Sequence, residues 1–166
     1  VTGFEAGDDE SILTGALTRV AGEDAGTYAI NLGSLDAGAN YTINYTGADF
    51  EITVATLDVT ADAGQTKVYG EVDPSFTYSA TGFQNGDDES ILTGALTRTA
   101  GEDVGMYPIN LGTLGAGGNY TVNFNGADFA ITQAALNVTA DLGQTKVYGD
   151  ADLSFTYSAT GFQNGE

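Results

Sequence analysis

Apolar and polar residues alternate along most of this chain with a period of two. Leu57, Val59 and Ala61 interleave with Asp58, Thr60 and Asp62, the pattern of a strand with one buried face. Gly64 interrupts it, and Thr66-Lys67-Val68-Tyr69-Gly70 resumes an extended path. Glu71-Val72-Asp73-Pro74 reads as a turn, because proline fixes φ and aspartate bonds back to nearby amides. Phe76, Tyr78 and Ala80 then point one way, with Ser75, Thr77 and Ser79 opposite. Asp87-Asp88-Glu89-Ser90 predicts a short helical turn with acids at its positive end, and Gly94 limits its length. Extended stretches follow at Ala95–Arg98, Met106–Leu111 and Tyr120–Phe124. Asn125-Gly126 signals a hairpin, returning through Ala127–Thr132 with Phe129 and Ile131 inward. The class is mainly β: about six short strands and at most one short helical turn per period.

The pattern repeats. Residues 2–80 laid on 81–159 are identical at 59 of 79 positions, and TGFQNG at 81–86 returns at 160–165. A period this long fits an array of small domains, each with its own core, better than a helical or leucine-rich solenoid. The apolar phase places the boundaries. Phe50, Ile52 and Val54 are spaced by two, but Leu57 and Val59 are out of step with them, and the slip recurs from Phe129 and Ile131 to Leu136 and Val138. A one-residue slip turns the buried face to the other side, so one core ends and another begins near residues 54 and 133. We therefore expect 1–54 to be the later part of a repeat, 55–133 a complete domain, and 134–166 the opening part of a third. Neither end segment holds enough strands to bury its apolar face alone. This predicts that 134–166 of one molecule complements 1–54 of another. The connections contain neither Gly nor Pro, which predicts a short, semi-rigid joint.

Charge narrows the partners. The net charge is −19, with Arg19, Lys67, Arg98 and Lys146 the only basic residues. Such a surface repels phosphates and anionic headgroups, so neither nucleic acid nor membrane insertion is expected. The absence of Cys and His removes disulfides, thiolate chemistry and the commonest general base. No apolar run nears the ~20 residues that span a bilayer, and no charged-then-apolar leader opens at Val1, which places any signal peptide outside these residues.

Candidate chemistry is sparse. The densest acidic clusters, Asp8-Asp9-Glu10 and Asp87-Asp88-Glu89, are candidate calcium ligands, since Ca²⁺ takes six to eight oxygens. They lack the alternating Asp spacing of a calcium loop, and a capped turn accounts for them more simply. Glu71, Asp73 and Asp152 are weaker candidates of the same kind. A glycosidase needs two carboxylates across a cleft, whereas these acids lie in turns repeated in every copy. Catalytic residues are therefore expected to be none. Tyr41, Tyr45, Tyr69, Tyr78, Tyr107 and Tyr120 have faces that suit sugars, but most share the inward parity of their strands. Asn40, Asn44, Asn119 and Asn137 head N-x-[ST] triplets and read as strand-edge polar residues. Lys67 and Arg98 are expected to pair with nearby acids as exposed ion pairs, each contributing under ~1 kcal/mol.

The order KVYG, DP, FTYSATG, LTGALTR, G-x-Y-x-I and NYT, with Tyr69-Gly70-Glu71 and Asp73-Pro74 at its head, resembles the MBG repeats of bacterial surface proteins, of the type named for Tyr-Gly-x. The resemblance covers the whole chain and departs where Leu153 replaces proline. It implies tandem arrays in secreted or surface-anchored adhesins, with repeats as spacers or weak binding modules and no enzyme among them. The expectation is a non-catalytic spacer of tandem, mostly antiparallel β domains, of β-grasp or immunoglobulin-like sandwich type. Its partners are neighbouring copies, and it needs no cofactor. The competing class is an adhesive module for host or matrix glycans, or for calcium.

Overall fold

The structure is a computed structural model that describes all residues 1–166. It contains twelve strands and two three-residue 3₁₀ turns and no longer helix. Two compact units are distinguished, residues 1–57 with 116–121, and residues 58–115 with 122–166.

In the first unit, β1 (Thr18–Arg19), β2 (Gly26–Asn31) and β3 (Ala48–Ile52) form an antiparallel sheet in that order. Tyr28 lies opposite Phe50 and Gly26 opposite Ile52. A 3₁₀ turn at Glu10–Ile12 precedes the sheet, and residues 41–46 form no strand. Large apolar side chains stay open to solvent here, among them Leu17, Val20, Phe50 and Val54.

The second unit carries most of the core. Chain order continues with β4 (Ala55–Ala61), β5 (Thr66–Val68), β6 (Tyr78–Thr81), β7 (Thr97–Arg98), β8 (Gly105–Asn110), β9 (Tyr120–Asn125) and β10 (Asp128–Thr132). One sheet has the order β5-β10-β8-β7, with β5 parallel to β10 and the other pairs antiparallel. The other has the order β6-β4-β9. Val59 and Ala61 from β4 and Phe129 and Ile131 from β10 are all closed off from solvent, and the Phe76 ring meets Phe129 edge-on at 5.2 Å between centroids. Two sheets with alternating inward faces are a β-sandwich arrangement. Of the two expected topologies, the one that needs a helix across a sheet lacks that helix, because the turn at Glu89–Ile91 stops after three residues. The last strands, β11 (Asn137–Ala140) and β12 (Tyr157–Thr160), form a two-stranded sheet.

The phase slip coincides with a change of sheet. β3 ends at Ile52 and β4 opens at Ala55; β10 ends at Thr132 and β11 opens at Asn137. Every buried hydrophobic residue except Ala37 lies between Leu57 and Ile131.

The Asn125-Gly126 hairpin is corrected. β9 and β10 belong to different sheets, so this pair carries the chain from one layer to the other. The Ile109 amide donates to the Ala127 carbonyl at 2.7 Å, and a Cβ on Gly126 would stand 2.8 Å from the Ile109 carbonyl oxygen. Glycine is needed for close approach to β8 rather than for a two-residue turn. The letters of a hairpin turn do not reveal which strand the returning segment will meet.

Candidate functional site

The most organised polar feature is a ring of four charges on the β5-β10-β8-β7 sheet. Lys67, in the middle of β5, places Nζ 2.8 Å from Asp73 and also on Glu102. Arg98, at the end of β7, places Nε 2.6 Å and Nη2 2.9 Å from the two oxygens of Asp73, and Nη2 2.7 Å from Glu102. Each cation thus touches both anions. The Arg98 guanidinium also donates to the carbonyls of Thr99 and Gly101 at 3.0 and 2.5 Å. It lies over the rings of Tyr107 and Phe129, 5.1 and 5.4 Å from their centroids.

The sequence suggests exposed pairs here, and the structure corrects this. The Lys67 and Arg98 side chains are 3% and 5% exposed. The acids hang over the open side of the ring, more accessible than the bases. Burying two cations is tolerable because each has two anionic acceptors. Hydrogen bonds from Arg98 and then Lys67 hold Asp73 below the usual carboxylate range against the opposing effect of burial. Lys67 and then Arg98 do the same for Glu102. Hydrogen bonds to Asp73 and then Glu102 raise Lys67. Sequence distance hid this arrangement, since Lys67 and Glu102 are 35 residues apart.

The acidic clusters are capped turns. Asp9 and Asp88 are N-caps, each accepting from the amide two residues on (Ser11 and Ser90) at 2.8 Å. Hydrogen bonding to Ser11 and Ser90 lowers both carboxylates. Asp8 accepts the Tyr41 hydroxyl at 2.8 Å, while Glu10 and Glu89 form the first residue of each 3₁₀ turn. Asp87 begins the second cluster, its amide donating to the Gln84 carbonyl. No three carboxylates in the structure converge in a geometry that would hold a metal ion. The weaker calcium candidates are likewise engaged. Glu71 accepts the Val68 amide at 2.9 Å, Asp73 belongs to the ring, and Asp152 pairs with Lys146 at 2.5 Å.

Most of the candidate tyrosines pack or hydrogen-bond within the fold. Tyr120 is buried and Tyr78 half-buried. The Tyr45 hydroxyl donates to the Ile30 carbonyl, Tyr107 to the Asp103 carbonyl, and Tyr69 to Glu166. Of the four asparagines, Asn119 is a contact residue. Its side chain accepts the Ala25 amide at 2.8 Å and donates to Asp24 at 2.9 Å, and its carbonyl accepts the Ala55 amide at 2.9 Å. Around residue 133, Gly70 approaches Gln163 so closely that a Cβ would stand 2.5 Å from its side-chain oxygen.

Residues 1–51, 57–130 and 136–166 match the family described as MBG domain, YGX type. No curated protein and no solved structure matches the chain. Matches of one family that succeed one another along nearly the whole length, on a mainly β fold, settle the affiliation: the chain belongs to the MBG domain (YGX type) family, a non-enzymatic kind of repeat module typical of extracellular, adhesin-like proteins.

Proposed function

We propose that this chain is a structural spacer of a bacterial secreted or surface-anchored adhesin or fibre, in which copies of one β domain follow head to tail without catalytic activity. The observation that carries this reading is the shortness of the connections and what surrounds them. Five residues separate successive family matches, 52–56 and 131–135, and both lie beside inter-copy contacts. Asn119 clasps Asp24 and Ala25 at the first, and Tyr69 and Gly70 meet Glu166 and Gln163 at the second. Short extended joints buttressed on either side give reach with limited flexing. The net charge of −19 keeps parallel fibres from adhering to one another. No helix is long and apolar enough to cross a membrane.

On this reading, the domain unit runs over 55–133, and the apolar faces of 1–54 and 134–166 are completed by a neighbouring copy. The competing reading, a module for glycans or calcium, would act through the carboxylates of the acidic turns and any exposed tyrosines. Calcium titration with thermal melting and a glycan array separates the two. The spacer reading expects a melting temperature indifferent to millimolar calcium and no glycan signal. A rise of several degrees, or saturable binding of one sugar class, would transfer the assignment to the adhesive module.

A further inference from the structure

Two residues, Thr53 and Val54, carry the chain from β3 of the first copy to β4 of the central one. A covalent crossing this short limits the distance between copies, but it leaves rotation about its own φ and ψ bonds. A second tie at another point removes that freedom, and Asn119 supplies one. It stands directly before β9, far along the central copy, yet residues 116–121 belong to the same compact unit as residues 1–57.

The main chain of Asn119 holds to the central copy. Its carbonyl accepts the amide of Ala55, the first residue of β4, at 2.9 Å, and the adjoining Tyr120 is buried. The side chain holds to the first copy. Its Oδ1 accepts the Ala25 amide at 2.8 Å, and its Nδ2 donates to Asp24 Oδ1 at 2.9 Å. A backbone amide only donates and a carboxylate only accepts, so the carboxamide fits one way round, and its flipped form would set donor against donor and acceptor against acceptor. The receiving segment is braced from within its own copy. The Tyr28 hydroxyl donates to the Asp24 carbonyl at 2.7 Å. Arg19 lies over the Tyr28 ring at 5.1 Å, donates to the Gly22 carbonyl at 2.5 Å and pairs with Glu23 at 2.6 Å.

The copies agree where this contact needs side chains. Asn40 is the equivalent of Asn119, and Asp103 that of Asp24, both unchanged. Position 25 differs, alanine here and Val104 one period on, but only its backbone amide takes part. We infer that Asn119 is the positioning residue of the joint: its carboxamide, closing on Asp24 and the Ala25 amide of the preceding copy, fixes how the central domain is turned about the Thr53-Val54 crossing. Repeated at every period, the same clasp gives each joint of an array one preferred rotation, so that reach grows with each added copy instead of being lost to swivelling.

This role rests on the spacer reading, and one experiment separates the two. The chain has no cysteine, so Asp49→Cys and Asp128→Cys, at exposed positions of β3 and β10, take one spin label in each copy. Double electron–electron resonance on the intact 166-residue chain then reads the spread of distances between them. The labelled parent should give one narrow distribution. Asn119→Asp has the same shape but sets carboxylate against carboxylate. It should broaden the distribution about twofold or more and free the Ala25 amide to hydrogen exchange. Asp24→Asn keeps an acceptor for Nδ2 and should stay narrow. Combining Asn119→Asp with Asp24→Asn exchanges the partners: the carboxylate at 119 accepts both the Ala25 amide and the carboxamide at 24, and the narrow distribution should return. Melting of the second unit should be the same in all four chains, because the clasp lies outside its core. A distribution that stays narrow in Asn119→Asp, a double variant as broad as that single one, or a matching fall in melting overturns Asn119 as the tie and leaves the spacer reading standing. A parent chain whose distribution is already broad overturns the semi-rigid joint on which the spacer reading depends.

Discussion

Phe129 and Phe50 hold the same position in two copies of one sequence, yet Phe129 is inaccessible to solvent and Phe50 is 43% exposed. Val59 and Val138 differ in the same way, 0% against 59%. The residues and their local conformations are alike, and both phenylalanines lie under an arginine. What differs is the number of strands at hand. Around Phe129 the chain supplies both sheets, with β5 at the edge of one and Phe76 against the ring. Around Phe50 it supplies β1, β2 and β3. Burial in this chain is thus a property of the assembled period and not of its parts.

Features made within about a dozen residues of one another recur in both copies that contain them. Gln65 and Gln144 clamp the same loop, each donating to two carbonyls (Asp62 and Thr77, Asp141 and Thr156) at 2.8 and 3.1 Å. The Asp9 and Asp88 caps agree to within a degree in φ and ψ. The closed ring and the parallel pairing of β5, by contrast, occur once.

The largest test of this contrast is Phe129→Ala against Phe50→Ala. Removing Phe129 should cost about 3–5 kcal/mol, read by denaturant unfolding of the second unit with local hydrogen exchange. Removing Phe50 should cost about 1–2 kcal/mol in dissociated chains, because 43% of its surface is already open to solvent. Similar losses at both positions would show that the first unit already has a closed core.

Next comes Arg98→Met against Arg19→Met. The first leaves Asp73 and Glu102 with Lys67 alone and should cost about 2 kcal/mol, discounted for the partial exposure of both acids. The second should cost under ~1 kcal/mol, since Glu23 is 74% exposed. Denaturant unfolding reads both, and equal losses would show that the closed ring adds nothing beyond a pair such as Arg19–Glu23.

Acid and base then probe the ring directly. Asp73 and Glu102 titrate lower in the folded domain than in the unfolded chain. Their contribution is complete above the unfolded carboxylate range, roughly pH 4, and is lost as pH falls through the folded values. Lys67 is raised, so its contribution is complete below its unfolded pKa of roughly 10.4 and is lost as pH rises through the folded value. Melting of the second unit should therefore be level from about pH 5 to 10 and fall on either side. Glu102→Gln should flatten part of the acid limb, which circular dichroism at stepped pH would follow.

The smallest effect is expected at the caps. Asp88→Ala and Asp9→Ala should each weaken protection of the following turn slightly and equally, because the cap is local. Unequal losses in hydrogen exchange would mean that the turns sense the rest of their copy.

Much of this was legible in the letters. The strand at Ala55–Ala61, the inward parity of Phe129 and Ile131, the three-residue turn at Glu89–Ile91 and the break in phase near residues 54 and 133 all follow from near-neighbour rules, which depend on φ, ψ and side-chain direction. The sheet to which each strand belongs was not legible. Asn125-Gly126 looks like a hairpin but serves as a crossing between layers, and Lys67 looks like a surface lysine but lies under two carboxylates. By itself, the sequence determined the period, the mainly β class and the places where the buried face changes sides, because these are set by backbone sterics and two-residue alternation. Only the tertiary structure decided the sheet order, the closure of the ring and which copy of each apolar residue is sheltered, because those depend on strands brought together over 35 to 65 residues of chain.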